Sequence, residues 1–163
     1  MGQAMARAER LPGRVRVLAV LVVVAGVVLV VGGVGTWFVV QSQLSDEQIT
    51  VSDDADRFAG DAVDGPLTAY SQAETIEKHA LEASGGKTYA ELGQDDPTRQ
   101  TVMTASFLRA SLFTSVVSFG VAAMAVGLGV VLILVGWALL SIAGAFAEAV
   151  PAAPATPATA GPA

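Results

Sequence analysis

The chain has 163 residues, of which 53% are hydrophobic, and its formal net charge is −6. This length and a mean hydropathy of +0.58 exclude a pair of large soluble domains and indicate a membrane protein. The absence of cysteine excludes disulfides, thiolate metal sites and cysteine nucleophiles, and the acidic balance argues against nucleic acid as a partner.

The N-terminal segment is basic and is followed by a long apolar run. Residues 1–16 hold four arginines and one glutamate, whereas residues 17–40 hold no ionisable group. About 20 helical residues cross a hydrocarbon core of about 30 Å, and the apolar region of a cleaved signal peptide is shorter, about 7–15 residues. The sequence therefore predicts a first transmembrane helix over 17–40. Because Lys and Arg beside a span remain in the cytoplasm, residues 1–16 are predicted to be cytoplasmic.

Residues 41–109 are predicted to form an acidic extracytoplasmic segment. Between Gln41 and Leu108 there are 13 acids and 4 bases. Pro66 and the Gly85–Gly86 pair predict a helix from about 66 to 84, and Pro97 predicts a second helix starting at about 97. An i,i+4 pair of Glu74 and Lys78 is predicted on one face of the first of these helices. Apolar residues at helical spacing line the other face: Leu67, Tyr70, Ala73, Ile76, Ala80 and Ala83.

The stretch SGGKT, residues 84–88, has the ending of a phosphate-binding loop. The full motif G-x-x-x-x-G-K-[ST] needs a glycine at position 81, where this chain has Leu81, and it needs a preceding buried strand. The two glycines fit the C-terminal cap of the preceding helix instead. We therefore predict no nucleotide site.

Five aspartates and a single histidine are the remaining candidates for metal or acid–base chemistry. The aspartates could attract Ca²⁺, but their spacing fails the EF-hand pattern, and a solvated turn is the preferred interpretation of Asp53, Asp54, Asp56, Asp61 and Asp64. One histidine cannot supply a two-histidine iron site, and no nucleophile motif surrounds it. His79 is interpreted as a helix-surface residue. We predict no catalytic residue, metal ligand or cofactor.

Residues 110–146 predict a second transmembrane helix with a flanking helical extension. No residue from 110 to 147 is charged. This run of 38 residues is too long for one crossing and too short for two crossings with a turn. The hydroxyl-rich start and Trp137 place the hydrocarbon portion near 116–140. The Pro/Ala-rich segment 147–163 predicts a disordered cytoplasmic tail.

Small residues recur along both predicted spans at heptad-like spacing. Transmembrane helices associate by close packing, which small residues permit. The pattern predicts an antiparallel pair joined along one seam, formed by Ala19, Gly26 and Gly33 with Ser111, Ser115, Ser118, Ala122, Ala125 and Gly129. The fold class predicted is mainly α, a two-span transmembrane helical hairpin with a small helical extracytoplasmic segment.

Arg109 is predicted at the outer end of the second span. Its guanidinium can extend to lipid headgroups, or it can pair with a carboxylate of the outer segment; the first alternative is preferred. Arg109 and His79 are the candidate positions for contact with a partner.

Three blocks of the chain carry a family resemblance: ITVSDDA, GPLTAYSQAETIEKHALEASGGKTYAEL and DDPTRQTVMTASFLRASLFTSVVSFGVAA. Over about residues 15 to 140 the chain resembles small two-span membrane proteins of high-GC Gram-positive bacteria, whose members often carry the name aromatic ring-opening dioxygenase although no function is established for the family. Such dioxygenases bind iron through two histidines and a carboxylate, which this chain cannot provide.

The function predicted is that of a non-enzymatic integral protein of the plasma membrane whose outer segment contacts a partner or the envelope. The alternative is an accessory subunit of a membrane oxygenase or transport complex. The partners predicted are the lipid bilayer and either a second copy or another membrane protein.

Overall fold

The structure, a computed structural model, describes residues 2–149 and the side chains of residues 13–145. Three α-helices account for most of this range: α1 spans Gly2–Asp46, α2 spans Pro66–Ala83 and α3 spans Arg99–Ala149. A short 3-10 helix, Tyr89–Glu91, lies between α2 and α3. The described part of the chain contains no strand, and an isolated antiparallel bridge joins Thr50 to Ala62. The protein is therefore mainly α.

The two long helices extend beyond the apolar runs of the sequence. Gly13–Asp46 of α1 and Arg99–Ala145 of α3 are long and apolar enough to cross a membrane, with mean hydropathies of 3.1 and 2.5. The helix predicted from about 97 begins at Arg99, and α3 continues to Ala149 into the predicted tail, because AFAEA favours helix and prolines begin only at Pro151. Residues 150–163 of that tail lie outside the described residues.

The described part of the chain divides into two compact units, residues 2–27 with 129–149 and residues 28–128. In the first unit, the N-terminal part of α1 packs antiparallel on the C-terminal part of α3. The contact is close at two glycines: a Cβ on Gly26 would lie 2.6 Å from the Gly129 oxygen, and one on Gly136 would lie 2.9 Å from the Ala19 oxygen. Only glycine permits such an approach of two backbones.

The second unit contains the rest of both long helices, α2 and the loops. Gly33 packs on Ala122, whose carbonyl oxygen would lie 2.7 Å from an added Cβ. The rings of Trp37 and Phe119 meet edge to face with centroids 4.7 Å apart. A cluster of buried side chains joins the long helices to α2 and the loop before it: Leu44, Val51, Val63, Ala69, Ala73, Leu112 and Phe119.

Helix α2 matches its predicted bounds within one residue but buries a different face. Leu67 and Tyr70 are exposed, 66% and 43% respectively. The buried residues are smaller and more polar, namely Ala69, Ser71, Gln72, Ala73 and Thr75. The reason is that α2 is covered by a polar loop as well as by the long helices, and hydroxyl and amide groups can be buried where they form hydrogen bonds.

The end of α2 is a glycine cap. Gly85 and Gly86 adopt φ of +66° and +85°, conformations that favour glycine. The Gly86 amide donates to the Leu81 carbonyl at 2.7 Å, and the Gly85 amide donates to the Glu82 carbonyl at 3.3 Å. This pair of hydrogen bonds is the Schellman arrangement, which satisfies carbonyls that the helix leaves unpaired.

Candidate functional site

The loop between α1 and α2, residues 47–65, is held in a folded shape by its own backbone. The Val51 amide donates to the Asp61 carbonyl, and the Gly60 amide donates to the Val51 carbonyl, both at 2.9 Å. The Val63 amide closes the base of the loop on the Ile49 carbonyl at 2.8 Å. Val51 and Val63 are 1% exposed and anchor the loop in the core of its unit. The aspartates between them consequently have defined positions.

Two neutral hydrogen-bonded contacts fix this loop against α2. The Gln72 side-chain oxygen accepts from the Ser52 amide at 2.9 Å, and the Ser71 hydroxyl donates to the Arg57 carbonyl at 2.7 Å. Both α2 residues are buried, so these bonds are partly shielded from water. These bonds explain why Ser71 and Gln72 are buried although they lie outside the apolar face predicted for α2.

A charged contact joins the same two elements nearer the solvent. The Asp54 carboxylate lies 2.7 Å from His79 Nε2 and 3.6 Å from Lys78 Nζ. The hydrogen bond from His79 is the main cause that holds the pKa of Asp54 below the usual value for aspartate. Lys78 pairs with Asp54 and not with Glu74, the partner that the i,i+4 spacing predicted. His79 is exposed on the helix surface, as predicted, and it also forms a hydrogen bond with the loop.

Between the loop and α2 lies an open groove of about 830 Å³, which we call the α2 groove. Its apolar lining includes Phe58 from the loop and Leu67, Tyr70 and Leu81 from α2. Phe58 has φ of +59°, a conformation that is uncommon for a bulky residue and that forms part of the turn returning to Gly60. The groove therefore presents exposed aromatic and aliphatic side chains, of which Leu67 and Tyr70 belong to the apolar face predicted for α2.

The remaining lining of the α2 groove is strongly charged. Five acids, Asp54, Asp56, Glu74, Glu77 and Glu82, face two bases, Arg57 and Lys78. The net charge of the lining is −3, and the adjacent Glu74 carboxylate raises the pKa of the Tyr70 hydroxyl. The groove is thus both amphipathic and electronegative.

Arg109, a residue of α3, lies beside α2. Its guanidinium contacts the Glu77 carboxylate at 2.7 Å and lies 5.1 Å from the centre of the Phe113 ring. The ring of Phe113 in turn packs edge to face on Tyr70 at 5.7 Å. Of the two alternatives considered for Arg109, the structure contains the ion pair with a carboxylate, because α2 lies directly against the first turns of α3. The pair joins α3 to α2.

The acidic loop does not gather into a metal site in the described residues. No group of three His, Asp or Glu side chains within residues 13–145 is arranged to hold a metal ion. Asp54 is directed to α2, and Asp53, Asp56, Asp61 and Asp64 are exposed. The SGGKT stretch likewise has no strand before it, and Gly85 and Gly86 belong to the cap of α2.

The predicted seam is brought together in part. Ala19, Gly26 and Gly33 are buried on α1, and Ala122 and Gly129 are buried on α3. Ser115, Ser118 and Ala125 are half-buried, whereas Ser111 is exposed and the next residue, Leu112, is buried in its place. The expected position of Ser111 is therefore corrected: this part of α3 is covered by α2 and its loop, which select larger apolar residues.

Two further buried positions on α3 were missed in the sequence. Gly136 and Ala143 continue the seven-residue spacing of Ala122 and Gly129. That spacing was the available signal, and it extends 14 residues, or about four helical turns, beyond the seam predicted from residues 111–129.

Searches against protein-family models, curated proteins and solved structures give no match to the chain.

Proposed function

We propose that the protein is a non-enzymatic integral protein of the plasma membrane that crosses the bilayer twice and presents α2 with its loop to a partner on the extracytoplasmic side. The observation that carries this proposal is the combination of two long apolar helices with an apolar surface left exposed.

The surface of the long helices supports a lipid environment. Large side chains such as Val31, Met124 and Val131 are more than half exposed, and 17% and 11% of the most apolar windows of α1 and α3 are buried. The core helix of a soluble protein is mostly buried, and soluble monomers rarely expose large contiguous apolar patches. Hydrocarbon chains are the environment in which such a surface carries no penalty.

The tryptophans support one crossing by each long helix. Ala19 and Trp37 are 18 residues apart on α1, and Phe119 and Trp137 are 18 residues apart on α3. Each interval corresponds to about 27 Å of helix, close to the thickness of a hydrocarbon core of about 30 Å. Trp is enriched at both membrane interfaces, so Trp37 and Trp137 suit opposite ends of this layer.

The orientation follows from the distribution of charge. Arg14 and Arg16 directly precede the apolar part of α1, and the loops and α2 beyond its other end are acidic. Basic residues beside a span are retained in the cytoplasm, whereas acidic residues have little influence on topology. We therefore propose that both termini are cytoplasmic and that α2 is outside. The resemblance to two-span proteins of high-GC Gram-positive bacteria agrees with this arrangement.

The non-enzymatic part of the proposal is tested by the activity that the family name suggests. The chain has one histidine, and a facial triad of the ring-opening dioxygenase type needs two. The purified full chain is expected to bind no stoichiometric iron and to cleave no catechol under aerobic conditions. Ring opening accompanied by stoichiometric iron would contradict the proposal.

The alternative function, an accessory subunit, is distinguished by purification of the full chain in mild detergent. Arg109 and Glu77 form an exposed pair beside the α2 groove, which is the kind of polar surface a larger complex could cover. A stable complex that contains an oxygenase or a transporter would place this alternative first. A chain that elutes without either protein supports the independent role.

A further inference from the structure

The α2 groove combines negative charge with exposed apolar side chains, and we infer that it is a docking site for a basic, amphipathic polypeptide segment. The inference deepens the proposed function by giving the chemistry of the partner.

Part of the groove's negative charge remains available to a ligand. Asp54 is paired with Lys78 and His79, and Glu77 is paired with Arg109. Within residues 13–145, no salt bridge is formed by Glu74 or Glu82, although both line the groove. A ligand with cationic side chains would place positive charge beside these two carboxylates, and electrostatic complementarity of this kind speeds association and selects partners.

A purely ionic ligand would leave the apolar lining of the groove exposed. Leu67 is 66% exposed, Tyr70 is 43% exposed and Phe58 is 39% exposed, all in the same groove. Aromatic residues in a groove are typical anchor points for a partner, and their faces also attract Lys or Arg side chains. A polyamine could neutralise the acids but has no side chains with which to cover this surface.

The length of the groove suits a short stretch of polypeptide. From Leu67 to Glu82 the lining face of α2 spans 16 residues, or about 22 Å of helix. An extended peptide of about seven residues has this length. The groove therefore matches a segment in which cationic residues alternate with apolar ones.

The test uses the full chain in nanodiscs of phosphatidylcholine and a fluorescein-labelled peptide, Leu-Lys-Leu-Lys-Leu-Lys-Leu, with empty nanodiscs as the background. Fluorescence anisotropy is expected to show saturable binding. The Glu-containing counterpart, Leu-Glu-Leu-Glu-Leu-Glu-Leu, is expected not to bind, and Gly-Lys-Gly-Lys-Gly-Lys-Gly is expected to bind about tenfold more weakly because it lacks the apolar residues.

Two charge variants locate the binding. The double variant Glu74→Gln with Glu82→Gln is expected to raise the Kd about tenfold, since it removes two ionic contacts but preserves the shape of the groove. The matched control, Asp46→Asn with Asp95→Asn, removes the same charge from exposed positions outside the groove and is expected to change the Kd less than about twofold. Leu67→Ser tests the apolar contact without altering charge.

The inference is overturned if the two double variants weaken binding equally, if neither does, or if the peptide binds no better than to empty nanodiscs. Displacement by spermidine at the peptide's own concentration would also overturn it and would assign the groove to a small polyamine. The proposed topology is measured separately in cells, so failure of peptide binding and failure of the membrane orientation give different results.

Discussion

Glycines have opposite roles at different positions of the long helices. Gly26 and Gly33 lie where the backbones of α1 and α3 approach so closely that a Cβ would be 2.6 or 2.7 Å from a carbonyl oxygen. Gly32 and Gly127 have nothing within 4 Å of the position that a Cβ would occupy. Real Cβ atoms do not approach a backbone oxygen to 2.6 Å, so the backbones would have to separate at the first pair of positions but not at the second.

Replacement by alanine should therefore have opposite effects at these two pairs of glycines. Gly26→Ala and Gly33→Ala are expected to destabilise the protein by about 1–3 kcal/mol, since each forces an overpacked contact apart. Gly32→Ala and Gly127→Ala are expected to be neutral or to stabilise by up to about 1 kcal/mol, because alanine is the better helix former. Unfolding by SDS in mixed micelles, followed by Trp fluorescence, measures the difference.

The controls in this series are the two open glycines, which share residue type and helical context with the two packed ones. Equal shifts at all four positions would mean that the close α1–α3 contact does not form in the protein. A loss of stability confined to Gly26 and Gly33 would support it.

Among the elements, α2 and its loop form one folded piece because side-chain hydrogen bonds join Gln72, Ser71 and His79 to residues 14 to 25 positions earlier. The bonds of Gln72 and Ser71 are partly buried, and the contact between Asp54 and His79 is about half exposed. The partly buried bonds set the position of the loop, while the exposed contact makes its stability dependent on pH.

The sign of this pH dependence follows from Asp54. The pKa of Asp54 is lowered in the folded protein by the hydrogen bond from His79, so the contact stabilises the loop above about pH 4 and the effect is lost as the pH falls through the lower folded-state pKa. Hydrogen exchange at the Val51 and Gly60 amides, corrected for intrinsic rates, should therefore be roughly threefold faster at low pH.

Two variants check the assignment to Asp54. Asp54→Asn is expected to accelerate exchange at these amides at pH 5 and to remove most of the change between pH 5 and pH 3. Asp53→Asn, which alters an exposed neighbour outside the contact with α2, should leave that change in place. The same response in both variants would show that general acidity of the loop, and not the contact with His79, controls its opening.

Local signals in the sequence were sufficient for the bounds of α2. Pro66 and the Gly85–Gly86 pair act within one or two residues of the ends of α2, and the predicted and observed bounds differ by one residue. The apolar face predicted for α2 is buried only in part, at Ala73 and Ile76. Ser71 and Gln72 are buried through contacts with a loop that helical periodicity does not describe. The α2 groove was missed for the same reason: Asp54 and His79 are 25 residues apart.

The close helix contact was partly predictable because it depends on residue size at a fixed spacing. Gly26, Gly33, Ala122 and Gly129 lie at positions where seven-residue spacing places a buried stripe on each helix. Ser111 fits the same pattern of small residues but lies beside α2 and its loop, where Leu112 and Phe119 fill the larger space. A pattern of small residues in two helices does not predict where a third element, here α2 with its loop, packs against them.

For the whole molecule, the central claim is that the chain crosses a membrane twice with both termini on the cytoplasmic side. The chain contains no cysteine, so a single introduced cysteine reports its own location without interference. Gly93 lies between α2 and α3, Gly13 lies before the apolar part of α1, and neither has an atom within 4 Å of an added Cβ. Both sites should therefore accept a cysteine without disturbing the fold.

The most direct test is labelling of Gly93→Cys and Gly13→Cys in intact cells with a membrane-impermeant maleimide. The account predicts that the cysteine at position 93 is labelled in intact cells, whereas that at position 13 is labelled only after the membrane is permeabilised, because the arginines beside it are retained in the cytoplasm. Labelling of position 13 in intact cells, or protection of position 93 until permeabilisation, would contradict the two-span orientation.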